Sequence, residues 1–253
     1  MKLIVIVQAR LGSKRLPAKT LLNIGGLTVI ERVLNFCKSL NHVDEVIVAT
    51  PDKPEDDELE KFLRMRDVSV FRGDEADVLS RFFHCAVQAK ADGVIRVTAD
   101  DPLKDKFLTN DMILFFLNNA KKFDYVANNL KHRYPEGHDI EIFTFNALRA
   151  AHLAARRPSD REHVTSFIWN NPKKFKIFNF ECQKDYSDIR ITLDHFDDFK
   201  FLCKLVDLLE DLDPTASNIR NTIDNNPILQ RLRVEQPRNL SFNKQRSKES
   251  VEK

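Results

Sequence analysis

The chain has 253 residues, of which 42% are hydrophobic and 31% charged, and its formal net charge is +2. That length can bury a substantial core, and one domain with an insertion is the expectation rather than two small domains. The near balance of charge argues against a dedicated nucleic-acid or membrane surface, so local charge has to carry any functional argument.

The run Leu3 to Val7 has the length of a buried strand, and the segment Gln8 to Thr20 that follows, QARLGSKRLPAKT, holds four cations, Arg10, Lys14, Arg15 and Lys19. Gly12 and Pro17 rule out a regular helix there, and Ser13 offers a hydroxyl. Apolar residues at helical spacing follow from Val29 to Leu40, then a short apolar run from Val46 to Ala49, which makes one βαβ unit. Asp56 to Arg66, behind Pro54, reads as a helix and Val68 to Phe71 as a strand. Val78 to Val87 is a third amphipathic helix, and Val94 to Ala99 the strand after it. Phe107 to Leu117 is an apolar helix and Tyr125 to Ala127 a short strand. This alternation implies an α/β fold with a mainly parallel, doubly wound sheet and right-handed crossovers.

The rhythm changes at Asn128 to Gly137, which is polar and irregular, while Ile140 to Phe145 alternates like a half-exposed strand. A small β-containing insertion is therefore expected at about residues 128–185, with helices over Ala147 to Ala155 and Glu162 to Trp169 and a second alternating segment from Phe175 to Phe180. Ile189 to Leu193 reads as a strand returning to the main sheet, and Phe199 to Leu209 as one face of a long helix, with helical character continuing to Leu232. The domain is expected to span residues 1–235, and the polar stretch Gln236 to Lys253 to be a disordered tail. The phenylalanine-rich alternating segments suggest a homodimer with the insertion at its interface, against the alternative of internal burial.

Cys37, Cys85, Cys182 and Cys203 are widely spaced with no CxxC pair, which suggests neither a zinc site nor a disulfide framework and fits a reducing cytoplasm. The first apolar run is too short for a secretion signal, and no stretch of about 18 apolar residues offers a membrane span.

In an open α/β sheet, ligands sit at the carboxyl ends of the parallel strands, so the cationic loop leaving the first strand faces a polyphosphate or is a solvated basic turn. It is not a Walker A loop, because no second glycine precedes Lys14 in the required place. The strand Val94 to Ala99 ends in Asp100, Asp101 and Pro102, and Ile189 to Leu193 ends in Asp194. The two aspartates are either ligands for Mg²⁺ on a nucleotide's phosphates or N-caps of the helices after them.

The segments QARLGSKRLPAKTL, FRGDEADVLSRF, RVTADDPLKD, YPEGHDIEIFTFNAL, REHVT and IRITLD, in that order and reaching to about Asp198, resemble the cytidylyltransferase family of spore-coat polysaccharide biosynthesis. That family is related to the CMP-sialic acid and CMP-3-deoxy-manno-octulosonate synthetases. The resemblance implies a nucleotide-diphospho-sugar transferase fold, CTP as donor, Mg²⁺ as cofactor, and a cytidylylated sugar or sugar-like acid plus pyrophosphate as products. It gives Arg10, Ser13, Lys14, Arg15 and Lys19 to the CTP phosphates, with Lys19 or Arg15 meeting the charge that grows on the leaving pyrophosphate. It gives Asp100 and Asp194 to the metal, and Arg72, with Gly73, to the nucleoside, where an ordinary exposed charge is the equal alternative.

The acceptor is expected near His138, Asp139, Glu141, Arg161 and His163; a carboxylate-bearing acceptor suits Arg161 or His163, and a helix-surface ion pair is the other reading of those two. HFDDF stands after Asp194 where relatives usually read something like TPEDL, and Asp101 stands where many have a cysteine. Ala18 replaces a frequent glycine, which fits if the residue keeps a negative φ. Competing classes are a glycosyltransferase of related fold, expected to carry a DxD motif that Asp100 and Asp101 do not form, and a non-catalytic nucleotide-binding protein.

Overall fold

The computed structural model describes residues 1–234, 236–238 and 240–251. β1 (Leu3–Gln8) sends Leu3, Val5 and Val7 into one apolar layer and Ile4 and Ile6 into another, as a strand covered on both faces must. A hairpin of β2 (Asn23–Ile24) and β3 (Leu27–Thr28) follows, turned by Gly25 and Gly26, both at positive φ. Then α1 (Val29–Lys38) starts on a capping box made by Thr28 and Glu31, β4 (Glu45–Pro51) and α2 (Asp57–Arg64) follow, and β5 (Ser69–Gly73) closes the next unit.

α3 (Val78–Gln88), β6 (Gly93–Thr98), α4 (Lys106–Asn119) and β7 (Tyr125–Ala127) continue the alternation. β8 (Glu141–Thr144) leads directly into α5 (Phe145–Ala154). α6 (Pro158–Glu162) and α7 (Ser166–Trp169) come next, then β9 (Ile177–Asn179). α8 (Phe196–Leu209), α9 (Ala216–Asp224), α10 (Pro227–Leu232) and α11 (Leu240–Val251) complete the chain.

The seven-stranded sheet has the order β5-β4-β1-β6-β8-β7-β9. β1 lies parallel between β4 and β6, and β5 runs parallel to β4, the doubly wound arrangement expected from the sequence. β8 is antiparallel to both β6 and β7, whereas β9 is parallel to β7. The segment read as an insertion thus supplies β8 and β9 to the same sheet. A third apolar layer joins α8, α9 and α10 to Tyr186, Ile189, Ile191 and Leu193.

Several expectations change. Ile189 to Leu193 is not a strand of the main sheet, because β8 already occupies the free edge of β6; the segment makes a single parallel bridge, Arg190 to Glu136. The helix expected over Glu162 to Trp169 is broken in two at Val164, whose φ is 53°. The polar tail contains α11, which packs on α6, and the part of the expected disorder that falls on Asn239, Glu252 and Lys253 lies outside the described residues. The alternating segments also turn their apolar faces inward: Ile142 and Phe143 are fully buried, and Phe178 stacks on Phe115 at 4.3 Å. The exposed face on which the homodimer expectation rested is therefore covered within the chain. No helix among the described residues is long and apolar enough to cross a membrane.

Candidate active site

The cationic loop leaves β1 at the carboxyl edge of the sheet and is held from below. Ala9 donates its backbone N–H to Ala49 at 3.2 Å, and Leu11 donates to the buried Asp56 Oδ1 at 2.7 Å. The Thr20 hydroxyl donates to the Arg10 carbonyl at 3.0 Å, and the Ala18 N–H to Leu11 at 3.2 Å, so the loop closes on itself. Ser13 serves this closure, because its hydroxyl accepts from the Leu16 N–H at 3.3 Å. Ala18 does not keep a negative φ: it sits at 51°, in the left-handed region where glycine is the unstrained residue.

Asp100 and Asp194 reach the same cavity, of about 560 Å³, which Arg10, Lys14 and Arg15 also line. Neither aspartate caps a helix. The cap of α4 is Asp105, which accepts from Phe107 and Leu108, and α8 is capped at His195 with Asp198 accepting its N–H at 2.8 Å. The Leu193 N–H donates to the Asp100 carbonyl at 2.8 Å, which sets the two aspartates side by side although they come from distant parts of the chain.

One ammonium joins them. Lys19 Nζ donates to Asp100 Oδ2 at 2.7 Å, to Asp194 Oδ1 at 3.1 Å and to the Leu193 carbonyl at 2.7 Å. Arg15 donates to the same Asp194 oxygen at 2.6 Å, and Arg190 holds the other carboxylate oxygen at 3.0 Å. Burial pushes the Asp100 carboxyl up, but the charge and hydrogen bond of Lys19 outweigh it and hold the group at about 2. Burial likewise works to lower the Lys19 ammonium, yet Asp100 and Asp194 together keep it above its ordinary value. Asp101 belongs elsewhere: its carboxylate accepts from Thr98 at 2.7 Å and from the buried Lys104 at 2.9 Å.

The family model described as Cytidylyltransferase matches residues 4–239. The chain belongs to the cytidylyltransferase family. An uncharacterised protein of Methanocaldococcus jannaschii is 37% identical over 229 residues, 90% of this chain and 92% of its own. The spore coat polysaccharide biosynthesis protein SpsF of Bacillus subtilis is 30% identical over 233 residues, 89% of this chain and 95% of its own. Among solved structures, a cytidylyltransferase from Leptospira borgpetersenii serovar Hardjo-bovis superposes with a TM-score of 0.87 at 30% identity, covering 94% of this chain and all of that one.

In this cytidylyltransferase the other residues singled out from sequence are placed unevenly. Arg72 does not line the cavity; its guanidinium is pinned by Glu60 and Asp57 and by the Pro51 and Lys53 carbonyls at 2.8 and 2.7 Å. Of the acceptor candidates, Glu141 is buried in a network with Arg96, Tyr125 and Thr165, and Arg96 in turn reaches Gln8 on the cavity wall at 3.2 Å. His138 is fully buried, and burial, helped by the nearby Lys104, pushes its imidazole down to about 3. Burial and the neighbouring Asp101 raise Asp139 to about 6. Arg161 pairs with Asp77 and donates to the His152 carbonyl at 2.8 Å, and His163 meets Gln245 of α11 at 3.2 Å.

Glu162, which stands between the acceptor candidates Arg161 and His163, does line the cavity and accepts from Gln245 Nε2 at 2.9 Å, whereas sequence reasoning missed Arg81, which lines it too. Arg81 lies on the apolar face of α3 among Val78, Phe82 and Cys85. A cation interrupting an apolar helical stripe was the signal for it.

Proposed function

We propose that this cytidylyltransferase transfers CMP from CTP to an acidic sugar or sugar-like acceptor, releases pyrophosphate, and serves the synthesis of a surface polysaccharide or glycan. The observation that carries the reading is the convergence of Asp100 and Asp194 on one cation position, in a cavity walled by Arg10, Lys14 and Arg15. Two carboxylates that share an ammonium at 2.7 and 3.1 Å also fit one divalent ion completed by phosphate oxygens, the usual manner of binding Mg²⁺. Bound there, Mg²⁺ would neutralise and orient the triphosphate.

The chain's own residues supply the rest. An acceptor oxygen attacks the α-phosphorus, the bond to the pyrophosphate oxygen breaks, and charge grows on the leaving group. Lys19 and Arg15 are the cations placed to meet that growth, and Lys14 and Arg10 add to the field. Asp100, held ionised by Lys19, remains a carboxylate at any physiological pH. The cationic cavity suits an acceptor carrying its own carboxylate. A cytoplasmic location goes with this reading, since the four cysteines are free thiols, in keeping with a reducing compartment; a homodimer would need a face other than the one covered within the chain, and sedimentation at micromolar concentration decides it.

The test is to incubate the protein with Mg²⁺ and CTP against a panel of acidic and neutral sugars and to identify products by mass spectrometry. A CMP adduct of an acidic sugar is expected. Adducts of neutral sugars alone would overturn the acceptor class.

A further inference from the structure

Asp100 and Asp194 share one cation position, but the backbone holds them unequally. Asp100 follows β6, which is paired along both edges, by β1 and by β8. Asp194 ends a segment that joins no sheet: it is tied by the bridge from Arg190 to Glu136 and by the Leu193 N–H on the Asp100 carbonyl, and neither contact fixes the Asp194 carboxylate. The segment alternates, with Ile189, Ile191 and Leu193 buried in the layer made by α8, α9 and α10, which leaves Arg190, Thr192 and Asp194 for the other side.

On that side Arg190 fixes the carboxylate. Its side chain is 8% exposed and meets three acidic groups: Nη2 donates to Asp194 Oδ2 at 3.0 Å, Nη1 donates to Asp198, and Nε stands 3.4 Å from Glu136 Oε2. The other oxygen of the buried Asp198 accepts from the backbone N–H groups of Asp194 and His195, at 2.9 and 2.8 Å. Arg190 and Asp198 thus grip the side chain and the backbone of one residue. With Oδ2 committed to Arg190, Oδ1 is the oxygen that meets Lys19 at 3.1 Å and Arg15 at 2.6 Å, so Oδ1 faces the shared cation position. Three carboxylates around one guanidinium leave an excess of negative charge, and Arg190 therefore orients Asp194 without neutralising it.

Resting on CTP with Mg²⁺ as the donor, we propose that Arg190 is a positioning residue for the metal, which acts through Asp194 by presenting Oδ1 to the ion. Arg190 is not among the residues that line the nucleotide cavity, so its effect on the nucleotide has to pass through the metal ligand. Groups that orient a metal ligand from behind change metal affinity about 10- to 100-fold when they are removed. A lysine would keep the charge but not the planar fork that reaches separate carboxylates at once.

The experiment is calorimetric binding of CTP, in excess Mg²⁺ and again in chelator, to the full chain, to Arg190→Met, to Asp194→Asn and to the double variant. The wild-type protein is expected to bind CTP more tightly in Mg²⁺. Arg190→Met is expected to lose most of that gain, on the order of tenfold or more, while its affinity in chelator stays near the wild-type value. In the Asp194→Asn background Arg190→Met is expected to change neither affinity further, because its route to the metal is already cut. If Arg190→Met keeps the full Mg²⁺ gain, or weakens CTP equally with and without Mg²⁺, or weakens it again in the Asp194→Asn background, Arg190 does not act through Asp194 and the inference fails alone. If wild-type affinity does not respond to Mg²⁺, the metal reading fails and takes the inference with it. Should Arg190→Met not fold, Arg190→Lys is expected to lose part of the Mg²⁺ gain with the same selectivity, and its cycle with Asp194→Asn decides.

Discussion

Lys19 and Asp194 touch, but they are asked to do different things. On the proposed reading, Lys19 meets charge that grows as pyrophosphate leaves, whereas Asp194, now 3.1 Å from its ammonium, holds the metal throughout. Lys19→Ala is therefore expected to lower kcat on the order of 100-fold with a smaller change in CTP affinity, and Asp194→Asn to shift the Mg²⁺ dependence to higher concentration along with lost turnover. Steady-state kinetics checks both; a Lys19→Ala enzyme with normal kcat and raised KM would make Lys19 a ground-state anchor and pass the catalytic role to Arg15. A second residue-scale prediction concerns Ala18. Its left-handed φ of 51° costs an L-residue about 1 kcal/mol or more, partly offset by the greater unfolded-state entropy of glycine. Ala18→Gly should raise the denaturant midpoint, by up to about 1 kcal/mol in stability; a lowered midpoint would contradict the strain. At this scale the cations of the loop and both aspartates were legible, because charge at a strand's carboxyl end is visible in one dimension. Arg72 was misleading, since the partners that pin it come from α2 and the end of β4.

Between elements, the buried pair of Lys104 and Asp101 joins the end of β6 to the segment before β8. Lys104 Nζ donates to Asp101 Oδ2 and to the Gly137 and Asp139 carbonyls at 3.0 and 2.8 Å, with its side chain 1% exposed. Lys104→Met would take the ammonium from the Asp101 carboxylate, which keeps the Thr98 hydroxyl, and the donor from two carbonyls, and a loss of about 3–5 kcal/mol is expected in urea unfolding. Adding Asp101→Leu should recover part of it; no recovery would mean that the carbonyl contacts dominate.

His138 offers an independent reading of the same packed segment. Its folded pKa, about 3, lies below the ordinary 6.5, so the stability it contributes is present above 6.5 and is lost as pH falls toward the folded value. His138→Phe should therefore lose about 2 kcal/mol less stability than wild type between pH 7 and pH 5. Equal losses would show that the imidazole is reached by water. Elements with strong periodicity, such as α1 and α3, were legible in the sequence. The break at Val164 and the bridge at Arg190 were not, because the first depends on a left-handed turn at a β-branched residue and the second on which strand reaches the β6 edge first.

On the scale of the molecule, the sheet order brings the carboxyl ends of β1 and β6 together, and the extended segment before α8 adds Asp194 without joining the sheet. The doubly wound half was legible because its strands alternate regularly with helices. The position of β7, β8 and β9 was not, since antiparallel addition at one edge leaves no local signal distinguishing it from a separate insertion. α11, which brings Gln245 to Glu162 and His163 at the cavity rim, has the composition of a tail, so these contacts left no signal in one dimension.

The measurement that tests the central claim most directly is pyrophosphate release from each of the four nucleoside triphosphates, with an acidic sugar panel, in Mg²⁺ and again in excess chelator. Turnover with CTP well above the other three, abolished by chelator and restored by added Mg²⁺, is the result expected. Equal turnover of all four, or full activity in chelator, would contradict it.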